Sequence, residues 1–327
     1  MVSMSGRHIK IISVGAAVQD VFLSHSPQFK PVVENPHESF MKLELGAKSD
    51  VNNITFSTGG GATNAAVTFA RQGLHAQFMG SLGHDPAGQA VLDMLDHEGV
   101  DTSKVTFSHK YHTGYSVLLL APNGERTILT YRGASTHYHE GDFNLKGSDA
   151  DWLYVSTMSG NMAILHQLFL DAKSHGLKIM FNPGKGELAH HQKLKGLLHD
   201  VDVLLVNKDE AALIVEGSSL EELTRHLLNY VSTVIISDGP NGVMASDGKT
   251  IARAGMYQDV QVIDRTGAGD AFGAGFLAQW SQGASLVDSI IFASANSTSV
   301  VNHIGAKTGI LPKGTMLHHM PIHEQPL

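Results

Sequence analysis

The sequence predicts a doubly wound α/β protein, and two observations predict it. Short apolar runs alternate along the chain with longer segments of helical period, and several of those runs are apolar on both faces. Runs without a polar face suit a parallel sheet covered by helices on both sides. The strand-like runs fall at residues 8–14, 76–82, 152–156, 178–182, 203–207 and 233–238. Val203-Leu204-Leu205-Val206 shows the two-faced pattern most plainly. Helical patterns lie between them at 64–72, 88–98, 162–174, 208–215 and 220–230. Such β-α alternation winds helices onto both faces of one sheet.

Two segments break the rhythm, about 22–57 and 105–131. The second holds strand-like runs at 115–120 and 126–131 around the turn Ala121-Pro122-Asn123-Gly124, and an Asn-Gly pair is a strong hairpin signal. Both segments are expected to build a small β-rich flap over one end of the sheet. Two long surface loops are the plainer alternative.

Bulk properties exclude several classes of function. The 327 residues are 42% hydrophobic and 17% charged, a globular composition able to bury a sizeable core. Lys plus Arg number 23 against 31 Asp plus Glu, a net charge of −8 with no basic stripe. Nucleic acid is therefore not an expected partner, because binding its backbone needs clustered cations. Cysteine is absent, which removes disulfides, thiolate metal sites and a cysteine nucleophile. No apolar run approaches the ~18 residues of a membrane span. Residues 9–18 include Lys10 and lack a cleavage pattern, so the expected location is cytoplasmic.

The run Asp264-Arg265-Thr266-Gly267-Ala268-Gly269-Asp270 carries the most chemistry. Residues 260–263 read as a strand, 264–269 as a turn and 270–281 as a helix rich in small residues. A glycine turn that feeds a helix leaves backbone N–H groups unpaired at the positive end of the helix dipole. A phosphate oxygen is their natural ligand. Asp270 beside such a cradle is repulsive unless it has a task, and phosphoryl transfer supplies one. A base orients and deprotonates the attacking hydroxyl while the N–H groups stabilise the moving phosphoryl. The plainer alternative is a helix cap. A dinucleotide fingerprint is not met, since Gly273 falls one place late. Gly248-Lys249-Thr250 misses the Walker spacing and reads as a hairpin turn.

A second glycine turn, Thr58-Gly59-Gly60-Gly61-Ala62-Thr63-Asn64, opens the helix at 64–72, and the Asn64 amide suits sugar hydroxyls. Together, Gly59-Gly60-Gly61-Ala62-Thr63-Asn64 and Asp264-Arg265-Thr266-Gly267-Ala268-Gly269-Asp270-Ala271-Phe272 resemble the two signatures of the ribokinase-like (PfkB-type) carbohydrate kinase family, in matching order and separation. The resemblance runs from the first strand to about Ile310. It implies one kinase domain over 1–327, a three-layer α/β/α doubly wound, mostly parallel sheet with a small β lid, the lid being the flap at about 22–57 and 105–131.

The resemblance also implies ATP and Mg2+. Asp270 is the implied base, with Gly267, Ala268 and Gly269 as the anion hole. Asp20, Gly60, Gly61 and Asn64 hold the acceptor hydroxyls beside Asp270. Asn207-Lys208-Asp209-Glu210 resembles a motif that acts near the phosphates, so Asn207 and Glu210 would hold Mg2+ through water. Ser237, Gly239 and Gly242 contact the nucleotide with Gly267 and Gly269, and Asn296 lies near the adenine. Some members take a monovalent cation, and by position Asp264 and Thr266 would bind K+. Gly83-His84-Asp85-Pro86-Ala87-Gly88 resembles a recurrent loop at a helix start.

One departure narrows the acceptor. Ribokinase proper carries a sugar-contacting Glu after the strand at 152–156, where this chain reads Ser156-Thr157-Met158-Ser159-Gly160, so ribose itself is not implied. Arg126 and Arg132 sit on the second lid segment, where sugar-phosphate kinases of the family bind the substrate phosphate. Solvated arginines on a hairpin are the plainer alternative. The 20 His include His137-x-His139-Glu140, His190-His191 and His318-His319, none at a helical zinc-site spacing. The expected activity is phosphorylation of a hydroxyl on a sugar or sugar-like molecule. A nucleoside or sugar-phosphate kinase is the alternative within the family, and a catalytically silent sugar- or nucleotide-binding regulator the alternative outside catalysis. A homodimer through the lid is a further expectation.

Overall fold

The computed structural model describes residues 8–35, 38–123, 125–139, 141–257 and 260–327. Its centre is a nine-stranded sheet. The strand order is Ile322–Pro326, Thr250–Ala254, Val243–Ser246, Thr233–Ser237, Val203–Asn207, Lys178–Phe181, Trp152–Val155, Lys10–Val14 and His75–Met79. The six strands from Thr233–Ser237 to His75–Met79 run parallel, and the other three are antiparallel. The alternating pleat splits the apolar side chains between two cores. Ile11, Tyr154, Met180 and Leu205 pack on one face with Phe69 and Phe276 of the helices Gly61–Arg71 and Ala268–Trp280. Ile12, Leu153, Phe181 and Val206 pack on the other, with Phe169 of the helix Met162–Ser174. This is the expected doubly wound, three-layer arrangement.

A second sheet has the order Arg126–Tyr131, Gly114–Leu120, Val18–Ser24, Asn53–Gly59. It explains the broken rhythm: these strands pair with one another rather than alternating with helices. The flap differs from the expected bounds. Its first strand starts at Val18, before residue 22, and Thr106–Ser108 pairs with Ser81–Gly83 instead. Of the Asn-Gly turn, Gly124 lies outside the described residues, while Leu120 and Arg126 pair across it.

Three other expectations are corrected. The run 76–82 is two strands in different sheets, His75–Met79 and Ser81–Gly83. Residues 260–263 are not a strand. The N–H groups of Ile263 and Asp264 both donate to Val301 O at a helix end, so no ladder forms, and Val262 and Ile263 stay exposed. The helix expected at 270–281 starts earlier, at Ala268. The Gly83–Gly88 loop does structural work: Asp85 caps the helix Pro86–His97 by accepting from Gly88 N, and also accepts from Thr113 N.

Candidate active site

The site lies at the carboxyl ends of the parallel strands, where Ser156, Asn182, Asn207 and Ser237 sit at or just beyond the last paired residues. Open α/β sheets bind ligands at this edge. The helix Ala268–Trp280 points its N-terminus there. Its cap, Gly267, has φ of 79°, a left-handed conformation, and a Cβ at 267 would overlap Ala306. The N–H groups of Gly267, Gly269 and Asp270 donate to no group among the described residues, and Ala268 N–H reaches Arg265 O only at 3.4 Å.

The two glycine runs meet at Asp270. Gly60 opens the helix Gly61–Arg71 with φ of 100°. Asn64 Nδ2 then donates to Asp270 Oδ2 at 2.8 Å, and a Cβ added to Gly61 would stand 3.1 Å from Asp270 Oδ1. Burial pushes the Asp270 carboxyl above its ordinary range, opposed by the Asn64 hydrogen bond and by Lys307. Asn64 thus holds the carboxylate with one of its two amide N–H groups.

On one side of Asp270 the second sheet presents a polar row. Ser57, Asp20, Ser116 and Thr130 are successive cross-strand partners and so share a face. Asp20 is buried, and burial raises its carboxyl against the pull of Lys307 and the Ser116 hydroxyl. A Cβ at Gly59 would overlap Asp20 Oδ2, so the glycine turn passes directly over this carboxylate.

On the other side lies a cavity of about 580 Å3. Ser237, Gly239 and Gly242 line it together with Asn207, Glu210 and Gly269, which brings most of the expected nucleotide residues together. Its volume lies within the usual range of small-molecule pockets, and Phe272, Val243 and Val301 give it apolar walls. Asn207 and Glu210 form a reciprocal cap: Asn207 Oδ1 accepts from Glu210 N and Glu210 Oε2 from Asn207 N, each at 2.9 Å. Burial raises the Glu210 carboxyl. Its Oε1 accepts no hydrogen bond among the described residues, and an oxygen donor beside the cavity fits a hydrated Mg2+.

Two expected sites sit differently. Asn296 is fully buried away from the cavity, with Nδ2 donating to Ala271 O and Oδ1 accepting from Leu311 N. Both functional groups are spent on joining chain segments, so it offers nothing to adenine. Asp264 is also buried: Oδ1 accepts from Thr266 N and Thr266 Oγ1, and Oδ2 from Gly305 N. Arg126 Nε lies 3.7 Å from Asp264 Oδ1. A guanidinium there repels a second cation, so this donor set does not fit K+. Arg126 is thus part-buried beside Asp264, with Nε making no hydrogen bond among the described residues, whereas Arg132 is exposed.

Three residues were not found from sequence. Ser116 was one serine in a strand of ordinary composition. Glu187 braces the turn after residue 156, where the expected carboxylate is missing from the sequence. It accepts from Thr157 Oγ1, Met158 N, Gly160 N and Gly184 N at 2.7–2.8 Å and is fully buried. Lys307 is buried as well, its ammonium bonded to Thr58 O, Thr63 Oγ1 and Asn64 Oδ1. A lone Lys in Gly305-Ala306-Lys307 carries no sequence mark of burial, because lysine is rarely buried. The described residues hold no group of three or more metal-ligating side chains, and Glu140 of the His137 cluster lies outside them. No helix among them is long and apolar enough to cross a membrane.

Comparison with known proteins agrees with this geometry. The family model described as pfkB family carbohydrate kinase matches residues 32–313. The chain is 27% identical to the ribokinase of Haemophilus influenzae over 270 residues, covering 79% of this chain and 85% of that one. Its fold is similar to the nucleoside kinase of Methanocaldococcus jannaschii, with a TM-score of 0.75, 20% identity and coverage of 94% and 96%. It is also similar to the ribokinase of Cryptococcus neoformans in complex with ADP, with a TM-score of 0.71, 23% identity and coverage of 94% and 97%. With the two glycine turns converging on Asp270 and the family model covering most of its length, this chain belongs to the pfkB family of carbohydrate kinases.

Proposed function

We propose that the protein transfers the terminal phosphoryl group of ATP to a hydroxyl of a sugar or sugar-like acceptor, with Asp270 as general base. One observation carries this reading. The Asp270 carboxylate stands between a polar row and a nucleotide-sized cavity, beside the Gly267 and Gly269 N–H groups, which donate to no group among the described residues. Asp20 and Ser116 bind the acceptor hydroxyls, and Asn64 aims Asp270 at the one that reacts. Asp270 takes its proton. The N–H groups of Gly267 and Gly269, joined by the weakly engaged Ala268, stabilise charge on the transferring oxygens. Mg2+, held through water by Asn207 and Glu210, would neutralise charge on the nucleotide phosphates. The second sheet acts as a lid that excludes water from the transfer.

The turn at 156–160 offers no free carboxylate, because Glu187 is consumed by backbone N–H groups. That favours a second reading in which the acceptor is a nucleoside or a sugar phosphate. The test is ADP release coupled to a colour reaction, over ribose, fructose, several hexoses, sugar phosphates, inosine and adenosine. Acceptor-dependent release is expected. Binding of ATP and an acceptor with no release would indicate the silent regulator instead.

We further infer that a second copy covers the lid. Phe56, Val21, Val117 and Leu129 align across the sheet on the face opposite Asp20, and Phe56 and Leu129 are 64% and 59% exposed.

A further inference from the structure

We propose that Lys307 is a positioning residue for the base: its ammonium fixes the Asn64 amide so that Nδ2 faces Asp270, and its charge keeps that carboxylate ionised. The proposal rests on the assignment of Asp270 as base and deepens it.

The chemistry of the three groups fixes the direction of the chain. An ammonium only donates and a carboxylate only accepts, so an amide between them has one orientation. Asn64 Oδ1 accepts from Lys307 Nζ at 2.8 Å, and Asn64 Nδ2 donates to Asp270 Oδ2 at 2.8 Å. Without the ammonium the amide could turn over and present its oxygen to the carboxylate. Lys307 Nζ has two other acceptors, Thr58 O at 2.7 Å and Thr63 Oγ1 at 2.9 Å. Three acceptors match the three protons of an ammonium, whereas a neutral amine has two.

The fold holds this charge in place from behind. Arg71 Nη1 donates to Lys307 O and to Ile310 O, both at 2.9 Å, while its guanidinium pairs with Glu98. The backbone around Lys307 is thereby clamped to the helix Gly61–Arg71 that carries Asn64. The charged and titratable groups facing this centre are Asp20 and Asp270, with Glu98 and Arg71 behind, Asp264 beside Asp20, and the Tyr154 hydroxyl under Asp270. Burial lowers the Lys307 pKa, and Asp20 and Asp270 raise it. Burial raises Asp270, and Asn64 and Lys307 lower it. Burial penalises the charge on both the Asp20 and the Asp270 carboxylate, and Lys307 is the cation that opposes it at each.

Lys307 does not line the nucleotide cavity, which separates its effect from ATP binding. The test is the titration of Asp270 in protein labelled with 13C at the aspartate carboxyls, its resonance assigned by its loss in Asp270→Asn. In Lys307→Met the Asp270 carboxyl is expected to titrate at higher pH than in the parent protein. With the best acceptor of the panel, kcat falls about 10–100-fold, KM for ATP stays within about twofold, and the acid limb of the rate profile moves up with the titration. Should the Met variant not fold, Lys307→Gln, which keeps a neutral donor, carries the same measurement. An unmoved Asp270 titration alongside an inactive Asp270→Asn would overturn the role of Lys307 and leave the base assignment standing. Near-normal turnover in Asp270→Asn would overturn both.

Discussion

Replacing Glu187 by Gln tests how the turn after residue 156 is held. The change adds no bulk and removes one charge. Glu187 Oε1 accepts from Met158 N and Gly160 N, and Oε2 from Thr157 Oγ1 and Gly184 N. Three of these partners are backbone N–H groups that only donate, whereas the Thr157 hydroxyl can turn and accept. A glutamine has one acceptor oxygen, so its NH2 group sits best on the Thr157 side and faces the Gly184 N–H. That lost charge-assisted bond costs about 1.5–3 kcal/mol. Unfolding entropy of about 2.1 cal/mol/K per residue makes 1 kcal/mol equal to about 1.5 °C in a chain this long. Tm should therefore fall by about 2–5 °C in scanning calorimetry. The turn borders the acceptor side of the site, so KM for the acceptor should rise while KM for ATP holds. A Tm within about 1 °C of the parent would refute the reasoning, since it would mean that the four bonds contribute nothing net.

Two other outcomes follow from the site and the lid. Replacing K+ with tetramethylammonium should change kcat by less than about twofold, because Arg126 already supplies a cation beside Asp264; activity that collapses without K+ would show that the guanidinium moves aside. Phe56→Glu should convert a dimer to a monomer in sedimentation velocity, by placing a charge in the exposed apolar row; a parent protein that is already monomeric would remove the lid interface.

Local pattern made the sheet and its helices legible. The strand Val203–Asn207 and the helix Met162–Ser174 have the expected bounds, because two-faced apolar runs and a 3.6-residue period are local properties. The hairpin turn read near Gly248 joins Val243–Ser246 to Thr250–Ala254, but the edge strand Ile322–Pro326 was not expected. Its pairing with Thr250–Ala254 joins distant parts of the chain, and no local period encodes it. The glycine turns around Asp270 were legible because a left-handed cap and a close backbone approach both demand glycine. Lys307, Glu187 and Ser116 were not, since each owes its role to partners far away in sequence. Asn296 shows the converse. Its position in the chain suggested an adenine contact, but its amide bonds to Ala271 and Leu311 instead.

The most direct measurement is single-turnover phosphoryl transfer by Asp270→Asn, with nucleotide binding followed in parallel by calorimetry. Asparagine keeps the shape, and its oxygen can still accept from Asn64, but it cannot take a proton. With Asp270 as the proposed base, turnover should fall by about 10²-fold or more, while the Kd for ATP changes little because Asp270 does not line the cavity. Near-normal transfer by this variant would contradict the assignment of Asp270 as the base.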